Sequence, residues 1–328
     1  MQSRVQDAPR IIAAGAAGAS AETVAVLEND GIAALPTETV YGLCARASSH
    51  AAVAKVFAAK GRPAHNPLIV HVDDLAGVEH LCTLSAAGQA LAEAFWPGPL
   101  TLVARLAREG AVAGAALGGG QTVAVRMPSA RFFRDVLSRV GPLVAPSANR
   151  SGRVSATSAA AVADDLGAAV DLVVDGGPSP IGLESTVVDV SEGVAVLRHG
   201  AITAAQIEAV AGPLTPGARG GPLRSPGMLT SHYAPRAVLR LNVAAHAVAE
   251  GEGYVAFGNA GDLSAALVWE ELSQAGDLHE AARGLYAALR RLDNAGVKTI
   301  AVAPIPAEGI GVAINDRLAR AAAPRPDG

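Results

Sequence analysis

The densest set of chemically useful side chains lies between Pro36 and His71, in the stretch PTETVYGLCARASSHAAVAKVFAAKGRPAHNPLIVH. Lys60 and Arg62 stand two apart within it. A lysine offers a compact point charge and an arginine a planar fork that grips two oxygens of one phosphate or carboxylate, so Lys-x-Arg on a rigid corner suits a polyphosphate. On its own such a pair reads first as two solvated charges at a helix end, favoured modestly by the helix dipole. The corner follows from the pattern, because Val53, Val56 and Phe57 recur at helical spacing from His50 to Ala59, and Gly61 and Pro63 come at the point where that helix should stop. Upstream, Ile32 to Leu35 leads into Pro36, after which Thr37, Thr39 and Tyr41 would share one face of an extended chain and could orient a small polar substrate. Downstream, Leu68 to Val70 is an apolar run that delivers His71 to its end.

Three later stretches repeat this pairing of an apolar run with polar groups at its end. Gln121 to Met127 reads as a strand in which Thr122, Ala124 and Arg126 share a face. An arginine inside an apolar strand is costly unless paired, so Arg126 is either a snorkelling edge residue or a carboxylate clamp. Leu143 to Pro146 is a strand running into Ser147-Ala148-Asn149, and Ser155 or Thr157 is placed to cap a helix from Ala159 to Leu166. Backbone N–H groups of such a loop bind anions when they face outward, although a serine-rich turn is commonly only a turn. Leu172 to Val174 forms a strand and Asp175-Gly176-Gly177 a turn; Glu184 to Val190 and Val194 to Arg198 then read as paired strands joined by Ser191-Glu192-Gly193.

Stepping outward, 328 residues with 50% hydrophobic and 17% charged side chains make a soluble, well-packed chain long enough for two domains. Aromatic residues are 3%, so the core must be built from Ala, Val, Leu and Ile. A net charge of −4 argues against holding nucleic acid by bulk electrostatics, and any anion site must be local. Two cysteines, Cys44 and Cys82, make no disulfide framework, and no Cys-x-x-Cys or His–Cys cluster offers a zinc site, which points to a reducing compartment. Ile11 to Ala19 faintly imitates a signal peptide, but it continues through Ser20 and Glu22 into Val24, Val26 and Leu27 and reads as the first, amphipathic helix. No apolar stretch approaches the ~20 residues needed to span a bilayer.

Ser85 to Phe95 reads as a helix ended by Trp96-Pro97-Gly98-Pro99, and Leu100 to Leu106 as a strand. From Ala211 to Pro235 the composition shifts to Gly and Pro, the mark of a linker, with Met228, His232 and Tyr233 as side chains able to pack down. Beyond it Val238 to Leu241, Tyr254 to Phe257 and Thr299 to Val302 read as strands, and His279 to Leu292 and Gly311 to Ala322 as helices. This second, Rossmann-like α/β unit lacks a G-x-G-x-x-G fingerprint, and nothing in it specifies a ligand. The resulting division is a domain over 1–210, a linker and lid over 211–236, and a small α/β domain over 237–328.

PTETVYGL at Pro36 to Leu43, KGRPAHNPLIVH at Lys60 to His71, WPGPLT at Trp96 to Thr101 and SANRSG at Ser147 to Gly152 together resemble the YrdC-like family of threonylcarbamoyl-AMP synthases. SPGMLTSHYAP at Ser225 to Pro235 is similar to the linker of that family's longer, two-domain members. The resemblance implies an α/β fold: a YrdC-like twisted open sheet with a concave active-site cavity, plus a Rossmann-like C-terminal domain. It implies conversion of L-threonine, bicarbonate and ATP to threonylcarbamoyl-AMP and pyrophosphate, for later modification of adenosine in tRNA by a separate transfer machinery. ATP would bind at Lys60, Arg62, Asn66, Ser147, Asn149 and Arg198, with Thr157 and the lid residue Tyr233 beside them, and Lys60 and Arg62 would act in catalysis. Threonine would bind at Thr39, His71, Arg126 and Ser185, Arg126 taking its carboxylate, while Thr122 lines the same pocket and counts with the ATP residues. His71 reads as a hydrogen-bonding wall or as a proton acceptor for the amine.

Mg²⁺ is expected to ride on the ATP phosphates, with no metal held by the protein itself, in a cytoplasmic enzyme without membrane or stable nucleic-acid partners. Two departures from the family pattern stand out: His199 sits where proline is usual after Leu-Arg, which loosens the placement of Arg198, and Cys44 sits where glycine is usual. The rival readings are a non-catalytic nucleotide- or RNA-binding module and a carbamoyl transferase like the hydrogenase-maturation proteins, whose zinc-finger cysteines this chain lacks.

Overall fold

The computed structural model describes residues 8–215 and 231–324. The first unit contains, in order, β1 (Ile11–Ala13), α1 (Ala19–Glu28), β2 (Ala33–Leu35), β3 (Gly42–Arg46), α2 (His50–Lys60), β4 (Ile69–His71), α3 (Leu75–Leu81), β5 (Cys82–Thr83) and α4 (Ala86–Phe95). It continues with β6 (Leu100–Leu106), β7 (Thr122–Arg126), α5 (Arg131–Val140), β8 (Leu143–Val144), α6 (Ala159–Leu166), β9 (Leu172–Asp175), β10 (Thr186–Asp189), β11 (Ala195–Arg198) and α7 (Ala204–Ala211). The second unit comprises β12 (Val238–Arg240), β13 (Gly253–Ala256), β14 (Val268–Glu271), α8 (Leu278–Asn294), β15 (Thr299–Val302) and α9 (Gly311–Ala322).

The first unit is a mixed, twisted open sheet in the order β1-β9-β2-β3-β8-β4-β7-β6-β10-β11, with β5 paired to β6. Its middle strands are buried through and through, and β2, β4 and β10 expose no residue, as expected where helices cover a sheet. The second unit is a four-stranded parallel sheet, β12-β15-β13-β14. Among the described residues no helix is long and apolar enough to cross a membrane, and no group of three His, Cys, Asp or Glu is placed to hold a metal ion.

Several sequence expectations shift. Ile11 to Ala13 does not begin the first helix but pairs in parallel with Val173 to Asp175 as an edge strand, and the helix starts only at Ala19 after Gly18, whose φ of 80° suits glycine. Thr37, Thr39 and Tyr41 do not lie on an extended strand. The Thr37 hydroxyl accepts from the N–H groups of Thr39 and Val40 and donates to the Val40 carbonyl, so the chain folds into a tight polar bend between β2 and β3. The helix from Ala159 is capped by Ser158, which accepts from Ala161 N, rather than by Ser155 or Thr157. The strand at Glu184 begins at Thr186. Val268–Glu271 is a strand that periodicity did not single out. Of the linker, 216–230, including Met228, lies outside the described residues, while Ser231 to Pro235 packs on both units.

One apolar cluster crosses the boundary between the units, joining Val40, Val154 and Leu183 of the first to Leu285, Tyr286, Leu289 and Ile314 of the second, with Tyr233 of the linker between them. The backbones come close at Gly182, whose φ is 80°; a Cβ there would stand 2.5 Å from Cα of Arg283 on α8. No side-chain rotation relieves a clash with backbone. Gly182→Ala should therefore lower the stability of the whole chain by at least about 2 kcal/mol, measured by denaturant unfolding, from the left-handed strain and the displacement of α8 together.

Candidate active site

The end of α2 makes the corner that the sequence suggested. Gly61 adopts φ 58°, and the N–H groups of Gly61 and Arg62 return to the carbonyls of Ala58 and Phe57, which closes the helix and turns the chain sharply. Lys60, 3% exposed, folds back under the loop that follows β8, its ammonium donating to the carbonyls of Ser147 and Asn149 at 2.5 Å each. Ser151 N donates in turn to the Lys60 carbonyl, 2.8 Å away. Arg62 donates to the carbonyls of Asn66 and Pro67. Neither cation has a carboxylate partner within ion-pair distance among the described residues. Burial, helped by the neighbouring Arg62 charge, pulls the Lys60 ammonium well below its usual 10.5, and burial brings Arg62 down to about 10. No carboxylate in contact neutralises the corner; the charges of Asp165 and Glu184 reach Lys60 only from a distance.

Arg62 faces a cavity whose other walls come from several elements: Thr37, Thr39, Val40 and Gly42 from the bend into β3, Ile69 and His71 from β4, Arg126 from β7, and Ala145, Pro146 and Ser147 after β8. Glu184, Ser185 and Arg198 close it from the β10–β11 hairpin, and His232 and Tyr233 from the linker. Its volume, about 40 Å³, holds on the order of three waters.

At one end Arg126 is compensated. Its guanidinium meets Glu38 at 2.5 Å, the Thr39 hydroxyl at 2.9 Å and the Gly98 carbonyl at 3.1 Å, and one N–H on each terminal nitrogen remains beyond these bonds. Burial raises the Glu38 carboxyl, but the charge and hydrogen bonds of Arg126 outweigh it and leave Glu38 ionised below its usual range. His71, stacked on Phe133 at 5.3 Å, is held neutral by burial and by Arg126, and its Nδ1 is buried without a hydrogen-bond partner. Ser185 shares a 2.7 Å hydrogen bond with Thr101 and accepts from Arg198 at 3.1 Å.

Thr39, Arg62, His71, Arg126, Ser147, Ser185, Arg198 and Tyr233 are thus brought to one cavity. Lys60 and Asn149 sit behind its Ser147 wall, and Asn149 spends its amide on the carbonyls of Arg150 and Arg153. Asn66 is fully buried with both amide atoms unpartnered, and Thr157 is buried beside the loop before α6. Thr122 does not join them: it is four residues, roughly 13 Å, from Arg126 along β7 and pairs with Arg105 outside the cavity. Sharing a strand face is not the same as sharing a pocket. Sequence reading gave Glu38 and Glu184 no role and His232 only one in packing, although a charge flanking an apolar strand, as in Leu183-Glu184-Ser185, signals a buried partner.

Glu184 ties the cavity wall to the second unit. Its carboxylate accepts from Ser155 at 2.5 Å, from the Tyr286 hydroxyl of α8 and from Arg317 of α9 at 2.8 Å. Burial pushes its carboxyl up, yet Arg317 and Arg198 prevail and hold it at about 2, against an ordinary 4.5. A carboxyl depressed on folding stabilises the fold above its unfolded value, and that stability drains away as pH falls from about 4.5 towards 2. A depression of this size is worth about 3 kcal/mol. Thermal unfolding of the wild type should accordingly fall more steeply between pH 5 and pH 3 than that of Glu184→Gln; equal slopes would mean that Glu184 does not carry this linkage.

Residues 25–200 match the family model described as "Telomere recombination", and residues 202–323 the one described as "Threonylcarbamoyl-AMP synthase, C-terminal domain". The threonylcarbamoyl-AMP synthase of Bacillus subtilis is 39% identical, the match covering 93% of each chain, and that of Pyrococcus abyssi is 38% identical, covering 88% of this chain and 90% of the relative. The crystal structure of P. abyssi Sua5 complexed with L-threonine superposes with a TM-score of 0.86 at 34% identity, over 92% of this chain and 94% of that one. Its likeness extends across both units and the arrangement between them, so the chain belongs to the two-domain threonylcarbamoyl-AMP synthase family.

Proposed function

We propose that this enzyme joins L-threonine, bicarbonate and ATP into threonylcarbamoyl-AMP with release of pyrophosphate, supplying the adenylate from which a tRNA adenosine is later modified. The observation that carries the reading is a pocket with two electrostatic ends: Arg126, already paired with Glu38, and Lys60 with Arg62, whose direct contacts are carbonyl dipoles. The first suits a zwitterion that needs one carboxylate oriented, and the second an anion carrying several charges.

Threonine's amine condenses with bicarbonate to a carbamate and water; a carbamate oxygen then attacks the α-phosphorus of ATP as the bond to the β-phosphate oxygen breaks. Neither step needs a protein nucleophile, and the protein's work is positioning and charge stabilisation. Arg126 orients the threonine carboxylate through its remaining N–H groups. Neutral His71 offers Nδ1 as acceptor, and Ser185 and Thr39 complete the amino-acid end. Lys60, Arg62 and Arg198 stabilise the charge that collects on the departing pyrophosphate, and Ser147, Asn149 and Asn66 border the nucleotide with Thr157. Mg²⁺ enters on the phosphates as part of the substrate. With room for a few waters, the cavity admits two substrates only if the His232–Tyr233 segment withdraws, which makes it the lid. ATP, bicarbonate and threonine as substrates, and a tRNA as the later acceptor, favour a cytoplasmic setting.

Purified protein should release pyrophosphate from ATP only when threonine and bicarbonate are both present, with the adenylate identified by mass before it hydrolyses. Lys60→Ala and Arg62→Ala should each cost at least about a hundredfold in kcat/KM for ATP, the scale of losing a preorganised charge contact at a reacting centre. Release that ignores threonine, or variants as active as the wild type, would overturn the assignment.

A further inference from the structure

Arg317 of α9 belongs to the second unit, yet it is 1% exposed and reaches into the wall of the cavity. Its Nε donates to Glu184 at 2.8 Å, Nη2 to the His199 carbonyl at 2.9 Å and Nη1 to Asp316 at 2.6 Å, while its guanidinium carbon lies 5.1 Å from the ring centre of Tyr233. Glu184 immediately precedes Ser185, and His199 immediately follows Arg198. Arg198 in turn donates to the Ser185 carbonyl at 3.0 Å and to its hydroxyl. One side chain from the second domain therefore bridges the two residues that flank the Ser185–Arg198 pair.

That bridge falls where the backbone ladder is weakest. Strands β10 and β11 lose register between Val187 and Val188, beside Arg198, so regular pairing does not by itself fix the end of the hairpin. A planar fork binding several acceptors at once can do so, and a lysine in its place cannot reproduce the set.

We infer that Arg317 is a positioning residue for the ATP half of the reaction: by tying Glu184 to the His199 carbonyl, the second domain locks the hairpin end and aims Arg198 at the phosphates. The amino-acid half has separate support, because Ser185 is also held by Thr101 of β6. This rests on the reading above that Arg198 serves ATP.

Titration calorimetry on the full chain tests it without turnover, measuring ATP and L-threonine dissociation constants for wild type, Arg317→Lys, Arg198→Ala and the double variant. Arg317→Lys should weaken ATP by about tenfold and leave threonine within about twofold, and in the Arg198→Ala background it should add less than about twofold. Arg317→Met, which keeps the apolar stem, must show the same split, and if it fails to fold the lysine variant decides. An unchanged ATP constant, equal loss of both ligands, or a full tenfold loss in the Arg198→Ala background would each overturn the inference. A wild type that binds both ligands but makes no adenylate would sink the proposed reaction and leave this coupling standing.

Discussion

The ammonium of Lys60, taken out of water and given two backbone carbonyls in place of a carboxylate, is the interaction on which the site depends. A buried cation is tolerated when dipoles or counter-charges replace its hydration, and dipoles replace it only in part. The shortfall is what an incoming phosphate would supply. Two buried guanidiniums are handled differently: Arg126 has Glu38 and Arg317 has Glu184 and Asp316. Arg317, with two carboxylates, builds the wall; Arg126, with one, keeps N–H groups for a ligand; Lys60 and Arg62, held by carbonyls, await an anion.

Keeping those carbonyls in place explains much of the surrounding architecture. The loop after β8 is pinned by the bridge of Gly42 with Ser147 and by the hydrogen bond from Ala148 N to the Tyr41 carbonyl, so β3 and the Thr37–Tyr41 bend support the acceptors that Lys60 uses. On the far side the second domain holds the cover. Tyr233 adopts φ 63°, a conformation worth about 1–3 kcal/mol of strain in a non-glycine residue, and is kept there by stacking on Tyr286 and by the Arg317 guanidinium. Strain held by packing gives a segment that has somewhere to go when a ligand competes for the same space.

Much of this was legible in the sequence where local chemistry decides structure. The α2 corner follows from Gly61 and Pro63, β6 from its short apolar run after Pro99, and α9 from its helical pattern, each close to its observed bounds. What escaped depends on partners distant in the chain. Ile11–Ala13 is a strand because β9, some 160 residues later, offers an edge, and its three residues are too few to show a period. Ser158 won the helix cap because Ser155 is drawn to Glu184. Arg317 showed only as part of a C-terminal stretch that specifies no ligand, since its partners, Glu184 and the His199 carbonyl, lie in the other domain.

The protonation equilibrium of Lys60 itself reports whether the Lys60–Arg62 corner lacks a contacting counter-charge until an anion binds. The chain has three lysines, Lys55, Lys60 and Lys298, so the Nζ resonances of protein labelled at lysine can be assigned by single substitution to arginine. The account predicts that Lys60 loses its proton well below the ordinary 10.5 in the unliganded protein and that ATP moves its titration upward. A Lys60 that titrates at or above 10.5 without ligand, or whose titration ATP leaves where it was, would contradict it.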